Sequence, residues 1–240
     1  MTIQDQNSII FEPIKLKADF NFTLPQGAKE IFIKGSDGID LNAVYYPGHK
    51  DQPLMIYFPG NSKNLQNWLA TNQQIADWNC GFLVADYRGF GKSGGEMNGE
   101  DEMYRDAEAI YDYAVKLGHQ PQNIICYGYS MGTGMACHLA AVKEARALIL
   151  ESPYSSIAEL HWVGDKAPSY KLENKEKAKS IKIPTLIIHG EKDDDIRPDH
   201  AHRLFDALNT AQKQLIIIPE GKHGDLRDKP VFLKAIRDFI

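Results

Sequence analysis

With 240 residues the chain has room for one hydrophobic core of ordinary size, and its 43% hydrophobic and 25% charged residues set aside disorder, collagen and long coiled coils. A net charge of -5, with lysine and arginine scattered among acids, leaves no positive field for a phosphate backbone, so nucleic acid is not an expected partner. Cys80, Cys126 and Cys137 form no CxxC pair and no even set for a disulfide framework, and there is neither a basic-then-apolar leader nor an apolar run long enough to span a bilayer, so a reduced, cytoplasmic protein without a membrane anchor is expected.

Short apolar runs then alternate with longer segments of helical period, the pattern of a mostly parallel α/β sheet. Strands are predicted over 30–34 and 40–46, joined as an antiparallel hairpin through the turn residues Gly35, Ser36, Asp37 and Gly38, and over 54–58. Leu65, Trp68, Leu69, Ile75 and Ala76 share a helical face after the third strand. A fourth strand over 82–86 is followed by a glycine-rich loop, and then by a helix marked by Met103, Ala107, Ile110, Tyr111, Ala114 and Leu117, which Gly118 is placed to end. Strands over 124–127, 147–150, 185–189 and 215–218 complete the set of eight. These four and the strand over 82–86 are apolar on both parities, as strands covered on two faces should be. The expectation is a single domain over 1–240, in which the interval 153–182, notably polar from Asp165 onward, forms a short cap.

Chemistry enters where the strand over 124–127 meets the small-residue segment 133–142. Between them lies Gly128-Tyr129-Ser130-Met131-Gly132. In a strand-turn-helix setting the two glycines permit a turn so tight that Ser130 is held above the sheet in a strained conformation, with no Cβ to clash against helix or strand. The serine also sits at a helix N-terminus, where N–H groups and the dipole favour developing negative charge. A hydroxyl is a poor nucleophile until a base takes its proton, so this motif requires a histidine and an acid at neighbouring strand ends. His189-Gly190-Glu191-Lys192-Asp193-Asp194-Asp195 follows one strand, and Pro219-Glu220-Gly221-Lys222-His223-Gly224 follows the next. His223 stands on a loop from which a general base can reach the serine, whereas periodicity does not choose among the three adjacent acids.

Two further segments join this series: Tyr57-Phe58-Pro59-Gly60-Asn61 after the third strand, and Asp86-Tyr87-Arg88-Gly89-Phe90-Gly91-Lys92-Ser93 after the fourth. Together and in this order the motifs resemble those of the α/β-hydrolase superfamily, specifically its compact serine hydrolases of the Bem46-like and dienelactone-hydrolase-like kind, over nearly the whole chain. The resemblance implies an α/β-hydrolase fold with a mostly parallel eight-stranded sheet flanked by helices. Its HGxxD pattern places the acid on Asp193, which gives a triad of Ser130, Asp193 and His223. It also implies an oxyanion hole formed by the backbone N–H groups of Met131 and Asn61. Pro59 departs from the pattern: many relatives carry histidine there, and proline has no N–H to donate.

Rival motifs fit less well. Gly89 to Gly94 satisfies GxGxxG, but Gly95, Glu96, Asn98 and Gly99 intervene before the helical stripe, and Glu108 and Asp112 fall within a helix instead of ending a second strand. His200 and His202, two residues apart on a helix, would not converge on a metal, and Cys126 and Cys137 read as small core residues. No metal or organic cofactor is expected. The expected partner is a small-molecule ester or thioester with a small to medium acyl group, hydrolysed through an acyl-enzyme, with Tyr154 and Trp162 of the cap as substrate contacts. An amidase or peptidase using the same triad, and a hydrolase-like binding module without turnover, remain alternatives. Oligomeric state is not legible from these residues.

Overall fold

All eight expected strands form, and they assemble into one sheet of order β1-β2-β4-β3-β5-β6-β7-β8. The strands are β1 (Lys29–Lys34), β2 (Asp40–Tyr46), β3 (Leu54–Phe58), β4 (Gly81–Ala85), β5 (Ile124–Tyr129), β6 (Ala147–Glu151), β7 (Thr185–Gly190) and β8 (Lys213–Ile218). The computed structural model describes residues 2–72, 78–163, 166 and 168–240. Lys34 pairs with Asp40 across the expected hairpin, β2 runs antiparallel to β4, and every pairing from β4 through β3 to β8 is parallel. The fold is therefore the mostly parallel α/β-hydrolase sheet, with the C-terminal ends of six strands along one edge where ligands bind in such sheets.

Successive side chains on a strand point to opposite faces, which explains why the central strands are apolar on both parities. Ile56, Phe58, Cys126, Leu148 and Leu150 meet the helices α3 (Glu100–Lys116), α4 (Thr133–Val142) and α6 (Asp199–Ala207) on one face. Met55, Tyr57, Tyr127, Ile149 and Leu186 meet α2 (Leu65–Thr71) and α7 (Pro230–Phe239) on the other. Cys126 and Cys137 lie in the first core and Cys80 in the second. All three are free thiols, and burial pushes each up to about 12.

Several local expectations shift. β4 ends at Ala85, and Oδ1 of the buried Asp86 just beyond it accepts from Leu65 N–H at 2.8 Å, at the start of α2. Leu65 and Trp68 are buried on α2, while Ile75 and Ala76, expected on the same face, lie outside the described residues. α3 ends at Lys116, with Gly118 at φ +101° just beyond it, so Leu117 caps the helix and is exposed instead of extending its buried stripe. The glycine-rich loop after β4 does not open a helix; α3 starts only at Glu100, and its first turn carries Glu100, Asp101 and Glu102, a poor setting for a phosphate. Instead, the buried Arg88 of that loop pairs with Asp37, Glu102 and Asp106.

The 153–182 interval holds a 3-10 turn at Ile157–Glu159 and the short α5 (Asn174–Ala178); Asp165, where its polar part was expected to begin, lies outside the described residues. The interval packs against α1 (Ile3–Ile10), a helix that the apolar periodicity of the sequence does not reveal. Ser169 N–H donates to Gln6 Oε1 at 2.7 Å, and Tyr170 hydroxyl donates to Asn7 Oδ1 at 2.7 Å. Among the described residues, no helix is long and apolar enough to cross a membrane.

Candidate active site

β5 runs straight into Ser130, which takes φ +50° in the left-handed region, and a 3-10 turn at Ser130–Gly132 then leads into α4. A non-glycine residue pays a steric cost for such a backbone conformation, one that persists only where the surroundings enforce it. Here the enforcement is close packing: a Cβ on Gly128 would lie 2.5 Å from Thr133 Cα, and one on Gly132 would lie 2.0 Å from the Phe58 carbonyl oxygen. Thr133 hydroxyl donates to the Ser130 carbonyl at 2.6 Å and closes the turn.

Ser130 Oγ lies 2.9 Å from His223 Nε2, and His223 Nδ1 lies 2.8 Å from Asp193 Oδ2. Three side chains from the ends of β5, β7 and β8 are thus brought into one chain of hydrogen bonds. The structure also separates the three acids: Asp193 is buried at 2% exposure, whereas Asp194 and Asp195 are exposed. Asp193 Oδ1 accepts from the N–H groups of Ile196 at 2.8 Å and Asp195 at 3.1 Å, which folds the acid loop around its own carboxylate. Burial works against the Asp193 charge, but hydrogen bonds from His189 and His223 outweigh it and hold the carboxyl well below the usual carboxylate range. The acid and histidine loops are tied to each other by Lys192 N–H donating to the Gly221 carbonyl at 2.8 Å.

The Pro59-Gly60-Asn61 loop after β3 closes on the serine. A Cβ on Gly60 would sit 3.7 Å from Ser130 Cβ. Asn61 lines the same cleft as Ser130, Met131 and His223, a cavity of about 740 Å³. Met131 follows the serine at the head of the 3-10 turn, where the first N–H groups of the helical stretch have no partner from within it. Trp162 stands on the cleft wall, 40% exposed, with its Nε1 donating to the Asp195 carbonyl at 3.1 Å. Tyr154, expected as a substrate contact, does not line the cleft but is fully buried beneath the elbow, its hydroxyl donating to the Met131 carbonyl at 3.3 Å and lying 2.4 Å from where a Cβ on Gly134 would be. An aromatic residue in a short polar interval reads the same in sequence whether it packs inward or faces a ligand. His200 and His202 also separate as expected of a helix, with His200 buried against Ser155 and His202 exposed.

A second polar group beside the cleft was not foreseen. Arg227, on the 3-10 turn Leu226–Asp228 after the histidine loop, donates to Glu151 through Nη2 at 2.7 Å and Nε at 3.0 Å, and also to Asn72 Oδ1 and the Tyr57 hydroxyl. Tyr127 hydroxyl donates to Glu151 Oε2 at 2.6 Å. The guanidinium lies 4.9 Å from the Tyr129 ring centroid, and Tyr129 hydroxyl donates to the His223 carbonyl at 3.3 Å. One signal was available in the sequence: Glu151 is a charge placed directly after the apolar run 147–150, at the site edge of the sheet.

A parallel sheet whose strand ends assemble a serine on a tight elbow, a histidine and a buried carboxylate defines the α/β-hydrolase class. The family described as "Serine aminopeptidase, S33" matches residues 50–174 and 172–230, and the chain belongs to that family. It is 30% identical over 241 residues to a protein of Acanthamoeba polyphaga mimivirus named as an alpha/beta hydrolase, covering 96% of this chain and 90% of that protein. It is 32% identical over 166 residues to human alpha/beta hydrolase domain-containing protein 17B, covering 68% of this chain but only 57% of the human protein. The Pyrococcus furiosus esterase Pf2001 shares the fold at a TM-score of 0.75, with 17% identity, over 95% of this chain and 97% of that one. Est1E of Butyrivibrio proteoclasticus, solved with ferulic acid bound, shares it at 0.72, with 23% identity, over 87% of this chain and 97% of that one.

Proposed function

We propose that this hydrolase is a serine esterase or thioesterase that cleaves small to medium acyl groups through an acyl-enzyme. The observation that carries this reading is the pair of hydrogen bonds at 2.9 and 2.8 Å that link Ser130 to His223 and His223 to Asp193. Ser130 Oγ gives its proton to His223 Nε2 as it attacks the acyl carbon, and Asp193 fixes the imidazole tautomer and stabilises the imidazolium that forms. The oxygen of the tetrahedral intermediate is received by the N–H groups of Met131 and Asn61. His223 then passes the proton to the departing alcohol or thiol, and water, activated by the same imidazole, releases the acid. The names of the esterases that share the fold support this substrate class, and a cleft of about 740 Å³ suits an acyl group of modest size.

The family's description favours a second reading, hydrolysis of an amide or peptide bond by the same residues. One experiment addresses both. Wild type should be labelled by a fluorophosphonate probe, show an acyl-enzyme burst and hydrolyse p-nitrophenyl esters of short to medium chain faster than aminoacyl p-nitroanilides. Ser130→Ala should lose labelling and about four or more powers of ten in kcat. Equal behaviour of wild type and Ser130→Ala would refute the serine mechanism; faster anilide than ester turnover would move the substrate class to amides; ligand binding with neither acylation nor turnover would make the protein a binding module.

A further inference from the structure

The loop that carries Asn61 is held by a part of the chain far away in sequence. Glu12 N–H donates to the Asn61 carbonyl at 2.9 Å, and Asn61 Nδ2 donates to the Ile10 carbonyl at 2.6 Å. Residues 12 and 62 pair as a parallel bridge. Two residues earlier in the loop, the Pro59 carbonyl accepts from the Tyr87 hydroxyl at 2.7 Å, and the Tyr87 ring packs edge-on against Phe11. The segment is itself anchored on both sides. Behind it, Asn7 of α1 binds the Met97 carbonyl at 2.5 Å and accepts from Tyr170; ahead of it, the Ile14 carbonyl accepts from Gly91 N–H at 2.9 Å and from Asn64 Nδ2 at 3.1 Å.

These contacts bear on one atom. The Asn61 side chain and carbonyl are both fixed by residues 10–12, so two of the substituents on its tetrahedral Cα are held. The position of the third, the backbone nitrogen, then follows. Pro59, held by Tyr87, fixes the chain from the other direction. A donor to a developing oxyanion must be placed to within a fraction of an ångström, because a misplacement of about 1 Å can cost about a hundredfold in rate.

We infer that the segment Ile10-Phe11-Glu12 is a positioning element of the active site, which sets the Asn61 N–H for the transition state through the Glu12 N–H and the Ile10 carbonyl. The inference rests on the proposed serine mechanism. It predicts an effect on kcat and not on KM, since an oxyanion donor strengthens only as charge develops.

Proline at position 12 tests this directly. It deletes the N–H, and the preceding Phe11 already has an extended backbone, φ -116° and ψ 136°, which a following proline tolerates. Glu12→Pro is read against Glu12→Ala, which loses the same side chain but keeps the donor. With p-nitrophenyl acetate, kcat of the proline variant should fall about 10- to 100-fold below that of the alanine variant, with KM within about twofold. Asn61→Ala, which removes the bond to Ile10 and keeps the Asn61 N–H, should show the same split against wild type, and it carries the test alone if Glu12→Pro does not fold. Equal kcat in both comparisons, alongside an inactive Ser130→Ala, overturns this inference and leaves the serine mechanism standing. Activity that survives in Ser130→Ala removes the mechanism, and this inference with it.

Discussion

Ser130 and Asn61 line one cleft, but the contacts that fix them come from different distances along the chain. Around Ser130 the residues that shape the elbow are neighbours: Gly128, Gly132 and Thr133 lie within three residues, Gly128 packing on Thr133, Gly132 on the end of β3, and Thr133 adding one hydrogen bond. Around Asn61 they are remote, with the side-chain bond reaching across 51 residues to Ile10. Arg227 belongs with the second kind, since its partner Glu151 is 76 residues away and its partner Tyr57 is 170 away. The elbow is thus specified by adjacent residues, and the one distant element it packs on is the end of β3 at Phe58. A remotely built feature transmits distant substitutions to the site.

The largest expected effect is on the local side. In Gly132→Ala the new methyl would meet the Phe58 backbone oxygen, which no side-chain rotation relieves. We expect a loss of at least about 3 kcal/mol in stability and essentially no ester turnover, read by thermal melting and kcat. A variant that melts and turns over like wild type would show that the elbow yields more readily than its packing implies.

Next comes the remote network around Arg227. Arg227→Met leaves Glu151, only 2% exposed, as a buried charge without its cation, which should cost about 3–5 kcal/mol in urea unfolding. Adding Glu151→Gln removes the stranded charge, so the double variant should be more stable than the single. Simple addition of two losses would instead mean that the pair does not act as a unit.

The smallest effect concerns the cap. His200 Nδ1 lies 2.7 Å from Ser155 Oγ and 2.9 Å from Arg203 Nη2. Burial, and then the Arg203 charge, lower this imidazole from its ordinary 6.5 to about 4. Between those values the unfolded chain takes up a proton that the folded one refuses. The contribution of His200 is therefore complete above pH 6.5 and falls away as the pH drops toward 4, by up to about 3 kcal/mol. His200→Asn keeps an acceptor near the Nδ1 position, so the stability of wild type relative to this variant should fall as the pH drops across that window, while the buried Asp86, pushed up to about 8, slopes the other way in both proteins and cancels in the difference. Asp193, depressed below its ordinary 3.8, acts only on the more acidic side. A His200→Asn profile as steep as that of wild type would assign the slope to other groups.

The same contrast explains what the sequence disclosed. The elbow was legible because its glycines and serine are adjacent, and the strands were legible because β5, β6 and β7 are apolar on both faces. Asp193 needed the family pattern, because three neighbouring acids look alike until one of them is enclosed. α1 and its brace were illegible: the bonds run between backbone groups of residues 10 and 12 and a loop far downstream, and backbone groups carry no residue-specific mark. Tyr154 misled because ring chemistry does not reveal direction, and Arg227 was hidden in a loop of mixed charge.

The three sequestered cysteines have a practical consequence. Burial pushes each thiol up to about 12, which disfavours the thiolate at neutral pH, and all three cysteines are buried. The folded protein is thus nearly silent toward disulfide chromogens such as dithiobis-nitrobenzoate. The proposed thioester reaction can therefore be tested continuously by the colour of a liberated thiol, with the protein itself adding almost no background.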